Sequence, residues 1–499
     1  MDSTGCFALL VERHVARGHA DREALVERGS LGRRALSYGQ LYHAACAMAR
    51  WLDRTVQPDA TLALVGSATL EFAVAWLAAM RAGRRVLLAP ARQAEHYPAL
   101  WDKVRPERVL ADRTAGVGQP LPDVAHWLAD APPPRAHDCA ADAVLHDDRP
   151  AVLLMTSGST GGAKICVHAH RAFAWFEQHV TRARWGIGPD DRVMGASSPH
   201  FSFGLQGLHV PLSVGATAVM APEWTRHLDV LDAVQAERVT ALLAVPTLYH
   251  ILWRRAAEHP VDLASLRLSF AAGEHLPGLV RERWEAFSGS RMVNSIGTTE
   301  TFLPYLSEDA HTASDALTRV TGFDYQVRPH AVDEDPGRGV VALTVDSPAM
   351  MLGYLSQATL VPRSGGFATG DLFAPAGGDG EGFRFVARAS DRIKLSGCWV
   401  SPHELEDFLL DQPGVSASAA IALTTPEGLT RLRAFVVLQP EVRAADPRAW
   451  EAQLRAHMEQ ALRPRALRPD RIVVVDSLPS TASGKLKRNE LLEAVHRQP

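Results

Sequence analysis

Residues 155–164 read Met-Thr-Ser-Gly-Ser-Thr-Gly-Gly-Ala-Lys, and the organisation of the chain can be worked out from this loop. The loop follows a short apolar run, 151–154, which predicts a buried strand. Glycines allow backbone N–H groups to turn toward an anion, hydroxyl side chains add donors, and Lys164 adds positive charge. The pattern predicts a phosphate-binding loop, although a polar surface turn is the alternative on local chemistry alone. Since no Gly-Lys-Ser/Thr ends the glycine run, kinases and GTPases with a Walker motif are disfavoured.

The composition bounds the class of protein. A chain of 499 residues, 46% apolar and 22% charged, is typical of a globular protein with more than one domain. A net charge of −4 argues against a nucleic-acid partner. The five cysteines are scattered without metal-ligand spacing, which favours a reducing cytoplasm. No export signal is recognisable, and the most apolar helical stretch, 72–82, is too short to span a bilayer. We therefore expect a soluble cytoplasmic protein with no membrane partner.

Lysine is rare in this chain, with five residues among 52 lysines and arginines. Because arginine is used almost everywhere else, a lysine hints that a compact point charge is needed.

Strands and helices alternate over the first 300 residues, which predicts parallel sheets with crossover helices. Before the loop we expect helices at 36–53, capped by Ser37, and 70–82, with strands at 61–65, 85–89 and 109–111. After the loop we expect further helices and strands: helices at 172–184, 228–237 and 278–287, and strands at 192–196, 216–220, 241–245, 268–272 and 292–295. Several of these strands end in small polar residues, at the edge where open α/β sheets bind ligands.

Beyond Pro329 the pattern changes to short strands with turns, which predicts an antiparallel subdomain. From Leu395 onward helices at 402–411 and 447–462 mix with strands at 417–423, 433–437 and 471–475. The predicted fold class is therefore α/β: a large domain of mostly parallel sheets, a small antiparallel β subdomain, and a small, mobile α+β C-terminal domain.

Five motifs, taken together, resemble those of one family. In order they are the loop ending at Lys164, Gly297-Thr298-Thr299-Glu300, Thr369-Gly370-Asp371, Arg388 through Lys394 and Gly397, and Pro479 through Gly484-Lys485. Their order and intervals are similar to those of the adenylate-forming enzymes, which include acyl- and aryl-CoA ligases, adenylation domains and luciferases. Residues 295–300 and 394–404 most resemble the benzoate–CoA ligase branch.

The resemblance implies an N-terminal domain over residues 1–388, a hinge at 389–391 and a mobile C-terminal domain over 392–499. This chain departs from the family at two points: Ala387 precedes Arg388 where glycine is usual, and Ser390 stands where Asp or Lys is usual, followed by Asp391. A small polar residue can still absorb a hinge rotation. The resemblance also assigns Lys394 and Gly397 to the second half-reaction.

The resemblance further implies a chemistry in two halves. A carboxylate attacks the α-phosphate of ATP to give an acyl-adenylate and pyrophosphate, and a thiol then displaces AMP. Glu300 would bind Mg²⁺, Thr299 would lie near the α-phosphate, and the remaining nucleotide contacts fall to two groups. The phosphate group is Thr156, Ser157, Gly158, Ser159, Thr160, Gly161 and Lys164; the adenosine group is Gly273, Glu274, Asp371 and Arg388.

Lys485 is the candidate catalytic cation. Two anions, carboxylate and triphosphate, must meet in the transition state for adenylation, and a bridging cation lowers their repulsion. A solvated lysine in a basic tail is the alternative, but the motif and the rarity of lysine favour catalysis.

The substrate is expected to be an aromatic, benzoate-like carboxylate. No acidic residue occurs between Pro199 and Leu212, where amino-acid-activating members place an Asp, so a buried ammonium would be unpaired there. His209 is expected to be a packing residue, whereas His200 could be either pocket wall or packing. The pocket candidates are small, aliphatic or aromatic: His200, Phe201, Phe203, Gly204, Ala271, Ala272, Ile296, Gly297, Thr298 and Leu303.

CoA is the expected thiol, with ATP and Mg²⁺ as the other requirements. An enzyme of secondary metabolism that loads a carrier protein or another nucleophile is the first alternative, and a non-catalytic nucleotide-binding regulator is the second. The retained Lys485, Glu300 and Asp371 argue against a regulator, and a homodimer is left open.

Overall fold

The computed structural model describes residues 5–91, 97–139, 141–156, 164–329, 339–376, 382–395, 398–424, 430–444, 447–463, 465–479 and 486–497. The chain forms two compact units. The first comprises Met1–Gly273, Trp284–Asp324 and Val345–Phe367, and the second comprises Glu274–Arg283, Tyr325–Thr344 and Ala368–Pro499.

One sheet of the first unit carries the predicted phosphate loop. Its central strands are parallel and almost completely buried, as expected where helices cover both faces. Strand Pro150–Met155 lies at the border of this parallel region, because Ile165–Ala169 pairs with it antiparallel directly after the loop. In spatial order the eight strands are Thr359–Pro362, Gly353–Ser356, Ile165–Ala169, Pro150–Met155, Arg85–Pro90, Thr61–Gly66, Arg108–Ala111 and Gln119–Pro120.

A second sheet of this unit is parallel except at its two margins, where Gly32–Ser37 on one side and Leu306–Ser307 with Leu317–Arg319 on the other pair antiparallel. Its five central strands run parallel, so their carboxyl ends meet at one edge. At one side the hairpin Glu23–Gly29 and Gly32–Ser37 extends the sheet, and at the other Leu306–Ser307 and Leu317–Arg319 do so. The central strands in spatial order are Arg291–Ile296, Leu268–Ala271, Ala241–Ala244, Arg192–Gly195 and Thr217–Met220.

Some helices of the first unit begin at a capping side chain. Ser37 and Gln40 form a capping box at the start of Tyr38–Thr55, and Thr69 caps Leu70–Arg81. The segment after the phosphate loop is α-helical over Arg171–Phe176 and π-helical over Glu177–Arg182. The other helices within this unit are Ala8–Glu12 (π) continuing as Arg13–Ala16, Tyr97–Val104, Val124–Leu128, Ala141–Ala143 (3₁₀), Ser202–Val214, His227–Ala236 and Pro246–Glu258.

One helix touches its sheet backbone to backbone at a pair of glycines. Gly207 of helix Ser202–Val214 faces Gly195, the last residue of strand Arg192–Gly195. A Cβ added to Gly195 would lie 2.8 Å from the Cα of Gly207, which is closer than real Cβ contacts allow. The two backbones therefore touch, and this contact fixes the helix against the sheet.

The second unit combines two small β structures. Strands Phe367–Ala376 and Gly382–Arg388 form an antiparallel hairpin in a sheet with Val341–Asp346 and Asp324–Pro329, and a 3₁₀ turn, Ala389–Asp391, follows it. Further along, Val415–Thr424, Thr430–Leu438 and Arg471–Val474 form a three-stranded sheet. The remaining elements are the hairpin Ile393–Leu395 and Cys398–Val400, helices Pro402–Leu410, Pro440–Ala444, Pro447–Ala461 and Arg488–Arg497, and the 3₁₀ turn Arg465–Leu467. Helix Gly278–Ser288 contributes residues to both units.

This architecture agrees with the predicted fold class, and most predicted elements lie within two residues of their expected bounds. The sequence reasoning missed several elements, among them the N-terminal hairpin, strands Ile165–Ala169 and Phe367–Ala376, and helices Ser202–Val214 and Pro246–Glu258. Within the described ranges no helix has both the length and the hydropathy needed to cross a membrane.

Candidate active site

The predicted phosphate loop is closed at its base by two hydrogen bonds. The Thr156 N–H donates to the Lys164 carbonyl over 2.9 Å, and the Lys164 N–H donates to Thr156 Oγ1 over 3.2 Å. Lys164 itself is exposed. The other predicted phosphate ligands lie outside the described residues: Ser157, Gly158, Ser159, Thr160 and Gly161.

Tyr354 joins the loop lysine to the predicted metal ligand. Its hydroxyl donates to Glu300 Oε1 over 2.9 Å, and Lys164 Nζ lies 5.1 Å from the centroid of its ring. Burial, together with the Glu300 carboxylate, raises the pKa of Tyr354, so the phenol stays protonated as a donor. Strand pairing sets this arrangement, because Tyr354 lies opposite Cys166, two residues after Lys164. The structure thus brings Lys164 and Glu300 together through a residue that the sequence reasoning missed.

The segment that carries Glu300 is a tight turn. The Thr298 N–H donates to Thr301 Oγ1 over 3.1 Å, and that hydroxyl also lies 2.8 Å from the Leu303 carbonyl. A Cβ at Gly297 would lie 3.0 Å from the Cα of Pro304. The turn leaves Thr298, Thr299 and Glu300 half-buried, with Leu303 buried beneath them.

A strained phenylalanine anchors this turn in the core. Phe302 has a φ of 62°, which is an outlier for a bulky side chain, and only 2% of it is exposed. Its ring lies 4.9 Å from the His168 ring and stacks on His209 at 5.4 Å. Burial lowers the pKa of both histidines to about 3, so they are neutral packing residues at pH 7.

The predicted substrate pocket residues follow three of the five central parallel strands, two of which are neighbours. Ala271 and Ala272 end one strand, Ile296 and Gly297 end the next, and His200 with the helix beginning at Ser202 follow strand Arg192–Gly195. Because parallel strands end at the same edge, these groups share one side of the sheet. Ala271 is buried, and the side chains of Ala272, Ile296, Phe201 and Phe203 are half-buried.

His200 is a buried member of this group, 2% exposed, with its Nδ1 2.6 Å from Ser198 Oγ. Burial lowers its pKa to about 3, so the ring is neutral. Gly204 permits this geometry, because an added Cβ would lie 1.9 Å from the Ser198 carbonyl oxygen.

In the second unit the predicted ribose ligands are cross-strand partners. Asp371 lies opposite Arg388, and Arg388 Nε is 3.2 Å from Asp371 Oδ1. Asp371 is 2% exposed, whereas the Arg388 side chain is 55% exposed. At the predicted hinge, Ser390 Oγ donates to Asp391 Oδ1 over 2.9 Å.

The other predicted site residues are described only in part. Gly273 belongs to the first unit, lies two residues after strand Leu268–Ala271 and has a φ of 88°. The half-buried Glu274 belongs to the second unit. Gly397, Lys485 and the side chain of Lys394 lie outside the described residues.

A family model described as "AMP-binding enzyme" matches residues 11–355, and the model of its C-terminal domain matches residues 404–485. The chain belongs to the AMP-binding enzyme family. The predicted family is therefore confirmed, and the curated relatives below confirm the resemblance to the benzoate–CoA ligase branch.

Curated relatives of this AMP-binding enzyme include benzoate-activating ligases. The 4-hydroxybenzoate–CoA/benzoate–CoA ligase of Rhodopseudomonas palustris is 30% identical over 97% of this chain and 93% of the relative. The benzoate–CoA ligase of Thauera aromatica is 31% identical over 68% of this chain and 65% of the relative.

Solved structures of similar fold cover nearly the whole AMP-binding enzyme. A benzoate CoA ligase from Burkholderia xenovorans is 27% identical with a TM-score of 0.81, and the match covers 98% of this chain and 99% of that one. An anthranilate CoA ligase in complex with anthranoyl-AMP has a TM-score of 0.84 at 22% identity, over 99% and 98% of the two chains. The second likeness supports the fold alone, and the predicted fold class is confirmed.

Proposed function

We propose that this chain uses ATP to activate a benzoate-like aromatic carboxylic acid and transfers the resulting aroyl group to the thiol of CoA. The observation that carries the proposal is the 30% identity to a 4-hydroxybenzoate–CoA/benzoate–CoA ligase over 97% of this chain. The predicted enzyme class, an AMP-forming acid–thiol ligase, is confirmed by the curated relatives.

In the first half-reaction a carboxylate oxygen of the substrate attacks the α-phosphorus of ATP. The bond to the β-phosphate breaks and pyrophosphate leaves, giving an aryl-adenylate. In the second half-reaction the CoA sulfur attacks the acyl carbon, the thiol proton is lost, and AMP leaves with the electrons of the broken C–O bond.

We assign the nucleotide contacts to the residues selected from the sequence. Lys164 and Thr156, at the base of the loop, would bind the phosphates that become pyrophosphate. Asp371 would accept from the ribose hydroxyls, with Arg388 beside it. Gly273 and Glu274 would line the adenine, Thr299 would approach the α-phosphate, and Lys485 would bridge carboxylate and phosphate in the transition state.

The residues of the site are compatible with a Mg²⁺ ion that takes most of its ligands from ATP phosphates and water. Glu300 offers one half-buried carboxylate, oriented by the Tyr354 hydroxyl. Among the described residues no group of three His, Cys, Asp or Glu side chains could hold a metal ion. Magnesium bound by one carboxylate, water and phosphate oxygens is the usual arrangement in nucleotide enzymes. When bound, the ion would neutralise charge on the phosphates, and Glu300 would be its protein ligand.

The choice of an aromatic acid rests on the predicted pocket. Its half-buried walls include Phe201, Phe203, Ala272 and Ile296, which suit a flat ring better than a charged or long substrate. An α-amino acid would bury an ammonium without a carboxylate partner from residues 199–212.

Two measurements test the proposal. Nucleotide products resolved by chromatography should be AMP and pyrophosphate, and stoichiometric ADP would overturn the reaction type. Pyrophosphate exchange across a carboxylate panel should be fastest with benzoates that carry small ring substituents. A preference for fatty acids or α-amino acids would overturn the substrate class.

A carrier protein is the second candidate acceptor. The isonitrile lipopeptide synthase of Streptomyces coeruleorubidus is 29% identical over 92% of this chain, which matches 32% of that larger protein. Incubating the enzyme, ATP and benzoate with CoA or with phosphopantetheinylated carrier proteins would decide between the acceptors, because only the true acceptor forms a thioester at a catalytic rate.

The domain bounds also stay proposals: 1–388, a hinge at 389–391 and 392–499. The separate family-model match to residues 404–485 supports a distinct C-terminal domain. A cytoplasmic location, a role in secondary metabolism and a homodimer remain predictions.

A further inference from the structure

The Arg488 guanidinium, in the second unit, donates hydrogen bonds to a carboxylate and to a backbone carbonyl. Its Nη2 donates to Glu406 Oε2 over 2.9 Å, its Nη1 donates to Glu406 Oε1, and Nη1 also donates to the Ala420 carbonyl over 2.8 Å. Glu406 in turn accepts from the Ala420 N–H over 2.6 Å and lies 2.9 Å from His403 Nδ1. The first residue of the last helix is therefore tied both to helix Pro402–Leu410 and to strand Val415–Thr424.

The Glu406 carboxylate stays ionised in this network. Its side chain is only 12% exposed, and burial alone would raise its pKa. Hydrogen bonds from Arg488 and His403 outweigh burial and lower the pKa to about 2. A two-pronged pair of a guanidinium and a carboxylate is geometrically specific, and lysine cannot reproduce it.

The same network is close in the sequence to Lys485. Arg488 is three residues beyond Lys485 in the sequence. The Lys487 N–H donates to the Pro479 carbonyl over 2.9 Å, so the described residues on either side of segment 480–485 are joined. Leu478 and Leu486 pack against the core cluster of this unit that includes Phe435 and Leu491. The described residues on both sides of the segment are thereby held against the core of the three-stranded sheet.

We infer that Glu406 and Arg488 are positioning residues for Lys485, acting in the adenylation half-reaction. This inference rests on the proposed function, in which Lys485 bridges carboxylate and phosphate. A point charge helps only where the charge of the transition state develops, and a misplacement of about 1 Å can cost roughly 10²-fold in rate. The Arg488–Glu406 pair limits such displacement by fixing the C-terminal end of the loop.

The test is Glu406→Gln, which keeps the shape and the acceptor oxygen but removes the charge. Single-turnover adenylation should fall by about 10-fold or more, within the range for a misplaced catalytic group. Thioester formation from synthetic aryl-adenylate and CoA should stay within about twofold of wild type, because Lys485 acts before the adenylate exists. Equal loss of both rates would overturn the inference. Arg488→Lys should likewise slow adenylation and leave thioester formation unchanged. This second variant tests the inference if Glu406→Gln folds poorly.

Asp470→Asn is the matched control. It breaks another arginine–carboxylate pair of the second unit, Arg433–Asp470 at 2.8 Å. Among the described residues, neither member of this pair is hydrogen-bonded to Pro479, Lys487 or Arg488. Both half-reactions should keep their wild-type rates in this variant. A loss confined to adenylation here too would show that any broken ion pair has the effect, and it would overturn the inference.

Lys485→Ala separates failure of the inference from failure of the proposed function. If adenylation is unaffected by Lys485→Ala in an active enzyme, the assigned role of Lys485 is wrong. If adenylation is slow in Lys485→Ala but proceeds at the wild-type rate in Glu406→Gln and Arg488→Lys, only the positioning inference fails. In the Lys485→Ala background, Glu406→Gln should cause no further loss, and an independent loss would contradict positioning.

Discussion

The Tyr354 hydroxyl donates a hydrogen bond to Glu300 Oε1 over 2.9 Å, and the same ring lies 5.1 Å from Lys164 Nζ. One side chain thus contacts both the acid and the cation to which we assign the metal and the phosphates. Cation–π contacts of this kind contribute about 0.5–1 kcal/mol at exposed sites. Their more important effect here is orientation, because Tyr354 fixes Glu300 before any substrate binds.

We expect Tyr354→Phe to weaken adenylation without unfolding the protein. The ring and its contact with Lys164 remain, but Glu300 loses the donor that orients its carboxylate. Loss of a partner that orients a metal ligand typically costs about 10–100-fold in metal affinity or activity. Titration of adenylation with Mg²⁺ should show a higher half-saturating concentration. An unchanged Mg²⁺ requirement would contradict the assignment of Glu300 as the metal ligand.

Asp371→Asn should raise the KM for ATP selectively. The buried carboxylate pairs with Arg388 and is assigned as the acceptor of hydrogen bonds from the ribose hydroxyls. The asparagine amide keeps the shape of the side chain but is a weaker acceptor for these bonds. A hydrogen bond to a charged group contributes about 1.5–3 kcal/mol, which corresponds to roughly 10–100-fold in binding. Comparing ATP with 2′-deoxy-ATP is the internal control. The wild type should discriminate between them, and a variant that discriminates equally well would refute the ribose assignment.

Ser390→Pro should affect the second half-reaction more than the first. Proline fixes φ and removes a backbone donor in the 3₁₀ turn Ala389–Asp391. If thioester formation requires rotation there, its single-turnover rate should fall about tenfold more than that of adenylation. Ser390→Ala, which removes only the hydroxyl, is the control. Equal loss of both rates in a folded Ser390→Pro protein would place the hinge elsewhere.

The sheets and crossover helices could be predicted from the sequence because their signals are local. Buried runs such as 61–65 and 85–89 are continuous, and Ser37 lies at the start of an amphipathic helix. The hairpin Glu23–Ser37 was missed because charged residues interrupt its alternation: Glu27 is fully buried but paired with Arg113 and Arg34. A buried charge cannot be recognised until its partner is placed.

The candidate site likewise contains residues that could be predicted from the sequence and residues that could not. Lys164, Glu300, Asp371 and Arg388 lie in recognisable motifs, so their types and order were sufficient to select them. Tyr354 and Glu406 become significant only through contacts between distant segments. No sequence motif marked Tyr354; the preceding Gly353 is required by close packing, since an added Cβ would lie 2.0 Å from the Val361 carbonyl oxygen, but this too is visible only in the structure.

Buried histidines should make the protein sensitive to acid. Burial lowers the pKa of His14, His168, His200 and His209 to about 3 and that of His170 to about 4. Each has a pKa near 6.5 when unfolded, so the unfolded chain binds more protons between these values. Their contribution to stability is complete above about pH 6.5 and is lost as the pH falls toward 3.

His209→Leu should therefore flatten the acid side of the stability profile. Neither ring nitrogen of His209 has a hydrogen-bond partner within the described part of the chain. At pH 5 one such histidine costs about 2 kcal/mol relative to neutral pH, from 1.36 kcal/mol per pKa unit. Melting temperatures between pH 7 and 4 measure the effect, with the exposed His126→Gln as control. A slope as steep as that of wild type would show that His209 is not held neutral.

The contact between Gly195 and Gly207 has a consequence for how the substrate range of this enzyme can be changed. Because the two backbones touch, the helix beginning at Ser202 cannot move closer to the sheet, and it moves away only if a side chain is inserted. An alanine at position 207 would act as a spacer, displacing Phe201 and Phe203 together rather than altering either ring. Exchanging the rings at 201 and 203 and inserting a spacer at 207 are thus two independent ways to adjust the proposed pocket, and a library that combines them samples shapes that ring exchange alone does not reach.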